Sequence, residues 1–145
     1  MKPNIFDIAT KELSQYAFIT WLLAFADNNN QEYDKELNLC AKDFVSKLIK
    51  KQIPNFNEPI HTVEARRQWK NIDVRAKVNN KYLIIIEDKT ISSEHSNQLE
   101  RYKGIAEKWC SENKYETPIC IYLKTGNESL NIFNAIKDKG YAIFD

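Results

Sequence analysis

Two acidic residues and one lysine stand where two neighbouring strands would bring them together. Asp73 lies at the start of an alternating segment, 72–78, and Glu87 ends a continuous apolar segment, 82–87, with Lys89 two residues later. Charged groups at the ends of buried strands cost free energy unless something pairs with them. A divalent cation with a phosphate oxygen is a suitable partner for this set. The three residues therefore predict metal-assisted cleavage of a phosphodiester.

The register of the hairpin decides whether the two carboxylates share a site. If Val78 faces Tyr82 across a three-residue loop, counting back along both strands puts Asp73 opposite Glu87 on one face. A two-residue turn would put the carboxylates on opposite faces. The metal hypothesis therefore predicts an odd-numbered loop.

The residues after Glu87 extend the predicted site. Lys89 leaves a strand on the same face as Glu87, and its ammonium group would orient the attacking water or offset charge on the phosphate. Asp88 points to the other face, so we expect it to reach the metal through its main-chain carbonyl. The alternative is a plain salt bridge between Asp73 and Lys89 beside a strand end.

A helix after these residues adds two polar side chains. Gln98 and Tyr102 are four residues apart and share one helix face. Over the carboxylates, an amide and a phenol would hold a phosphate or a strand backbone. The alternative is a solvated helix surface with a half-buried tyrosine.

Basic residues with an interleaved tryptophan cluster near the hairpin. This pattern favours contacts to phosphates with a stacking aromatic, although a sheet edge protected by charge gives the same pattern. A nearby glutamate, Glu64, is either a further metal ligand or the ion-pair partner of an arginine. The predicted nucleic-acid-binding residues are Arg66, Arg67, Trp69, Lys70 and Arg75.

The elements that position these residues follow from periodicity and turn signals. Their order predicts an α/β fold with a mixed central sheet flanked by helices. Helices are predicted over 11–26, 34–51, 94–111 and 128–139, and strands over 61–68, 72–78, 82–87, 119–123 and 141–144.

Bulk composition bounds the function class. The chain has 145 residues, 43% of them hydrophobic and 28% charged, which predicts one domain over 1–145. A net charge of +1 excludes a binder held by bulk charge, and no apolar run approaches a membrane span. Three isolated cysteines and the absence of a secretory signal predict a cytoplasmic location. The chain ends inside a strand-like run at Asp145, which also fits a piece of a longer protein.

These motifs, in this order, resemble the PD-(D/E)XK nuclease superfamily, in particular its RecB-like branch with a QxxxY element. The resemblance covers nearly the whole chain and implies a restriction-endonuclease-like αβββαβ core with an extra N-terminal helix. Where the family motif has a proline, this chain has Ile72. The residues that carry the resemblance are Ile72-Asp73, Glu87-Asp88-Lys89 and Gln98-x-x-x-Tyr102.

The resemblance also implies roles for these positions. Asp73 and Glu87 would ligate Mg²⁺, for which Mn²⁺ usually substitutes, and Lys89 would act with the nucleophilic water. Gln98 and Tyr102 would assist at the phosphate. Glu12, on the first helix, matches a glutamate that often completes the metal site.

The sequence thus predicts a Mg²⁺-dependent nuclease that acts on DNA, with RNA as the alternative substrate. A catalytically inactive binding or regulatory module and a protein-interaction domain are the other classes compatible with the pattern. We predict no membrane partner. An exposed edge strand near Tyr141 would allow a homodimer.

Overall fold

The computed structural model describes residues 2–3, 14–87, 96–123 and 130–144. Within these ranges the elements occur in the predicted order, and the predicted α/β fold is confirmed. The helices are α1 (Ser14–Phe25), α2 (Lys35–Lys50), α3 (Ser96–Asn113) and α4 (Leu130–Asp138), with a short 3-10 turn at Asn28–Asn30. The strands are β1 (Val63–Trp69), β2 (Ile72–Val78), β3 (Tyr82–Glu87), β4 (Ile119–Leu123) and β5 (Ala142–Phe144).

The strands form one mixed sheet in the order β1-β2-β3-β4-β5. The first three pair antiparallel, and β3-β4 and β4-β5 pair parallel. Parallel pairing requires a crossover, and α3 and α4 supply the two crossovers here. Because β3 and β4 run in the same direction, their carboxyl ends meet at one edge of the sheet.

Apolar side chains cover both faces of the sheet. On one face, Val74, Ala76 and Ile84 pack in a cluster with residues of α1 and α2. On the other face, Leu83 and Ile85 pack in a second cluster with residues of α3 and α4. Burial on both faces explains why β3 reads as a continuous apolar segment.

Asparagines set the geometry of the β2–β3 loop. Val78 pairs with Tyr82, so the loop has three residues, and Asn79 and Asn80 in it have positive φ angles of 54° and 52°. Asparagine tolerates this left-handed conformation better than most residues. The Asn79 side chain accepts hydrogen bonds from the His61 and Thr62 N–H groups at 2.8 and 3.2 Å. Its amide donates to the carbonyl of Pro59 at 2.9 Å.

The same bonds explain why β1 begins later than predicted. The predicted strand started at residue 61, but the N–H groups of His61 and Thr62 are bonded to Asn79 rather than to a strand. The ladder begins at Val63, which pairs with Val78. A side chain thus takes hydrogen bonds that sequence periodicity would assign to the sheet.

Asp27 connects the end of α1 to the sheet. Its carboxylate accepts hydrogen bonds from the N–H of Asn29 at 2.8 Å and from the N–H of Val63 at 2.9 Å. The buried amide of Asn38 on α2 donates to the carbonyls of Phe25 and Asp27. These bonds fix α1 against the first strand. In the described part of the chain, no helix has the length and apolarity needed to cross a bilayer.

Candidate active site

Asp73 and Glu87 lie together at the sheet edge where β2 begins and β3 ends. The β2–β3 register pairs Val74 with Ile86 and Val78 with Tyr82. One step further along the ladder, Asp73 is opposite Glu87, and its N–H donates to Glu87 Oε1 at 3.1 Å. The prediction of an odd-numbered loop, with Asp73 opposite Glu87 in the register, is confirmed.

Both carboxylates are almost fully enclosed. Asp73 is 4% exposed and Glu87 is 2% exposed. Strand alternation puts Glu87 on the same face as Leu83 and Ile85, which is the face that α3 covers. Glu87 therefore lies between the sheet and α3, at the edge where β3 and β4 end.

Residues of α3 and the residue before β5 lie near Glu87. Tyr102 is buried at 4% exposed in the cluster beneath α3, whereas Gln98, four residues before it, is partly exposed. The Tyr141 hydroxyl donates to the carbonyl of Leu99 at 2.8 Å. The pKa of Tyr141 is raised, chiefly because the side chain is buried, and also by nearby groups that include Glu87 and Tyr102. Tyr102 and Glu87 therefore both lie in the surroundings of Tyr141, which the sequence prediction left out of the site.

Three predicted site residues, Glu12, Asp88 and Lys89, lie outside the described residues. Their assigned roles stay predictions. Over the described ranges, no group of three or more His, Cys, Asp and Glu side chains is placed to hold a metal. Asp73 and Glu87 are a pair of buried oxygen donors that fits a hard cation such as Mg²⁺ by ligand type. A complete ligand set needs further oxygens.

The structure separates the predicted nucleic-acid-binding residues. Arg66 and Lys70 are exposed, and Arg67 and Trp69 are partly exposed, so these four have surface for a ligand. Arg75 is 2% exposed. The prediction that Arg75 contacts phosphate directly was wrong, because its guanidinium is enclosed and already bonded.

The partner of Arg75 is Glu64. The guanidinium donates to the Glu64 carbonyl at 3.0 Å and to Glu64 Oε1 at 3.1 Å. The hydrogen bond from Arg75 is the main reason why the pKa of Glu64 lies below its ordinary value. Of the two alternatives for Glu64, the structure shows the ion pair.

Aromatic rings from distant parts of the chain meet beside this ion pair. The rings of Trp69 and Trp109 are perpendicular with centroids 6.0 Å apart, and Trp109 and Tyr115 approach to 4.6 Å. The Arg75 guanidinium lies 5.9 Å from the Trp69 centroid. Trp109 and Tyr115 were not among the predicted residues, because they lie about 40 residues after Trp69 in the sequence.

A family model of the PD-(D/E)XK nuclease superfamily matches residues 3–142 of the chain. This match covers nearly the whole sequence, and the chain belongs to that superfamily. Membership indicates nuclease activity, and proteins of this superfamily generally use divalent metals. Searches of curated proteins and of solved structures gave no significant match.

Proposed function

We propose that this protein is a Mg²⁺-dependent nuclease that hydrolyses phosphodiester bonds of DNA. The observation that carries the proposal is the register of β2 and β3, which sets Asp73 opposite Glu87 in an almost fully enclosed position. Two carboxylates held together on adjacent strands supply hard oxygen ligands of the kind that a divalent cation prefers.

The metal ligands in this proposal come from rigid backbone. Asp73 and Glu87 sit on adjacent strands, and the bond from the Asp73 N–H fixes the orientation of the Glu87 side chain. Glu12 and the main-chain carbonyl of Asp88 would complete the ligand set. Mg²⁺, or Mn²⁺ in its place, supplies Lewis-acid stabilisation of charge on the phosphate when bound.

The remaining residues act on the substrate and on water. The Lys89 ammonium group would orient the attacking water and offset charge on the phosphate. Gln98, partly exposed on the first turns of α3, would donate its amide to a phosphate oxygen. Tyr102 is buried behind it and would position this turn of the helix through its packing.

One cleavage assay tests the proposal. Supercoiled DNA, linear duplex, single-stranded DNA and RNA are each incubated with Mg²⁺, Mn²⁺ or EDTA. The wild type is compared with Asp73→Asn and Glu87→Gln, and Asp43→Asn serves as the control because Asp43 is an exposed acid on α2 paired with Lys47. We expect metal-dependent cleavage of DNA by the wild type and the control, and a loss of about 100-fold or more in both site variants.

Other results would overturn the proposal. Cleavage in EDTA, or unchanged cleavage by Asp73→Asn, would exclude the metal mechanism. Saturable DNA binding without cleavage in either metal would indicate a non-catalytic binding module. Cleavage restricted to RNA would replace DNA as the substrate.

A further inference from the structure

The aromatic rings beside the candidate site form a surface that we call the stacking surface. It consists of Trp69, Trp109 and Tyr115, each of them partly exposed. Consecutive rings are in edge-to-face contact, at 6.0 Å and 4.6 Å between centroids. Aromatic pairs buried in a core would be enclosed, whereas these rings retain surface that solvent or a ligand can reach.

Cations lie over these rings. The ammonium of Lys77 is 5.1 Å from the Trp109 centroid, and that of Lys70 is 5.6 Å from the Trp69 centroid. A nucleobase that stacks on such a ring brings its phosphates close to the same ammonium groups. Alternating aromatic and cationic side chains are the combination by which proteins bind single strands without reading their sequence.

Cationic side chains gather beside these rings although the whole chain is nearly neutral. They include Arg66, Lys70, Arg75 and Lys77, and Glu64 is an acid among them. Arg75 engages this acid at 3.1 Å. Lys77 and Arg66 also help to lower the pKa of Glu64, after the hydrogen bond and charge of Arg75. A polyanion approaching this surface therefore meets several cationic side chains.

The stacking surface leads to the carboxylate pair. Trp69 is the cross-strand partner of Ile72, the residue before Asp73. Asp73, Arg75 and Lys77 occupy every second position of β2, and Lys77 is about 13 Å from Asp73 along the strand. The rings therefore extend from the edge that holds the carboxylates toward the opposite end of β2.

We propose that the stacking surface binds unpaired bases of a single-stranded nucleic acid and holds that strand beside Asp73 and Glu87. The preferred ligand is then a single strand rather than a duplex, since pairing and stacking within a duplex hide the base faces that the rings would contact. The role of the held strand as a substrate rests on the proposed nuclease function. The binding itself does not.

Binding is measured with the full chain in EDTA, so that cleavage does not interfere. Fluorescence anisotropy of labelled single-stranded DNA, single-stranded RNA and duplex DNA of the same sequence gives the dissociation constants. We expect at least one of the two single strands to bind about tenfold more tightly than the duplex. Comparison of single-stranded DNA with single-stranded RNA shows whether the sugar contributes to affinity. Tighter binding of either single strand than of the duplex supports the proposal.

Matched variants locate the binding surface. Trp109→Leu and Lys77→Gln should each weaken single-strand binding by about three- to tenfold, with little effect on duplex binding. Trp21→Leu is the aromatic control, because Trp21 packs with the cluster on the opposite face of the sheet. Lys50→Gln, an exposed position on α2, is the charge control. Both controls should bind like the wild type.

The outcomes separate this inference from the proposed function. Equal affinity for single strand and duplex, or wild-type binding by both Trp109→Leu and Lys77→Gln, would overturn the stacking surface even if cleavage is observed. Lys77→Gln keeps the test valid if Trp109→Leu fails to fold, as judged by its circular dichroism melt. Preserved single-strand binding without cleavage in Mg²⁺ would overturn the nuclease proposal alone.

Discussion

The main-chain N–H of Asp73 donates a 3.1 Å hydrogen bond to Oε1 of Glu87 across two adjacent strands. A backbone group of one residue of the pair thus orients the carboxylate of the other. Sites built on strands in this manner hold their geometry before a ligand arrives. The first prediction follows from this preorganisation.

Mg²⁺ should stabilise the wild-type fold through this pair. A ligand that binds only the folded state raises the melting temperature as its concentration rises. We expect Mg²⁺ in millimolar excess to raise the melting temperature of the wild type by a few degrees, and to leave that of Asp73→Asn unchanged. Asp43→Asn should respond like the wild type. An equal response in Asp73→Asn, measured by differential scanning fluorimetry, would place the cation elsewhere.

Removal of the Glu64 carboxylate should destabilise the fold through Arg75. The guanidinium is 2% exposed and would keep its charge without its acidic partner. Because the Glu64 side chain is 63% exposed and screened by solvent, we expect Glu64→Gln to lower the free energy of unfolding by only about 1–2 kcal/mol. Urea denaturation measures this change. Glu112→Gln, at an exposed position on α3, should change stability by less than about 0.5 kcal/mol.

The same ion pair predicts a pH dependence. The pKa of Glu64 is lowered from its ordinary value of 4.5, first of all by the hydrogen bond from Arg75. The contribution of this pair is therefore complete above about pH 4.5 and is lost as the pH falls through the lowered pKa. The difference in unfolding free energy between wild type and Glu64→Gln should shrink in that acidic range. A difference that is constant down to pH 3 would contradict the assignment.

Two adjacent asparagines allow the contribution of hydrogen bonds in the β2–β3 loop to the free energy of unfolding to be measured. Asn79 and Asn80 have nearly equal positive φ angles, 54° and 52°, so alanine is similarly strained at both positions. Asn79 additionally bonds to the chain at His61, Thr62 and Pro59. We expect Asn79→Ala to be about 1–3 kcal/mol more destabilising than Asn80→Ala in urea denaturation. Equal losses would show that backbone conformation alone matters.

Substitutions of Gln98 and Tyr102 should differ in their effects on cleavage. Gln98 is partly exposed, so Gln98→Ala should lower cleavage about 10- to 100-fold while changing the melting temperature by less than a few degrees. Tyr102 is buried, and Tyr102→Phe, which keeps the ring, should retain most of the activity. Steady-state cleavage rates beside melting curves test both. A Gln98→Ala variant with full activity would remove this residue from the proposed site.

Sequence reasoning was most successful where a local pattern carries the structure. The alternation of β2 and the apolar segment of β3 gave both strands with correct bounds, and the metal hypothesis selected the three-residue loop that the structure has. The start of β1 was missed because a side chain, Asn79, takes the hydrogen bonds of His61 and Thr62. No periodicity in the sequence encodes such a bond.

In the candidate site, too, features set by a local sequence pattern were predicted, and features set by contacts between distant residues were not. The Asp73–Glu87 relationship follows from counting residues, because both lie on one hairpin. The burial of Arg75 does not follow from β2 alone, since its surroundings include Trp69 on a neighbouring strand, whose ring contacts Trp109 of α3. Trp109 and Tyr115 are far away in sequence and join Trp69 only through the packing of α3 on the sheet. The expected roles of Glu12, Asp88 and Lys89 fall on positions outside the described ranges.

The length of the β2–β3 loop has an evolutionary consequence. Three residues separate Val78 from Tyr82. The insertion or deletion of one residue there would shift one strand by one residue relative to the other, so that all its side chains would change faces. One acid would then move to the far side of the sheet, together with every apolar residue of its strand. Viable descendants of this gene should therefore vary the hairpin in steps of two residues, or leave its length untouched.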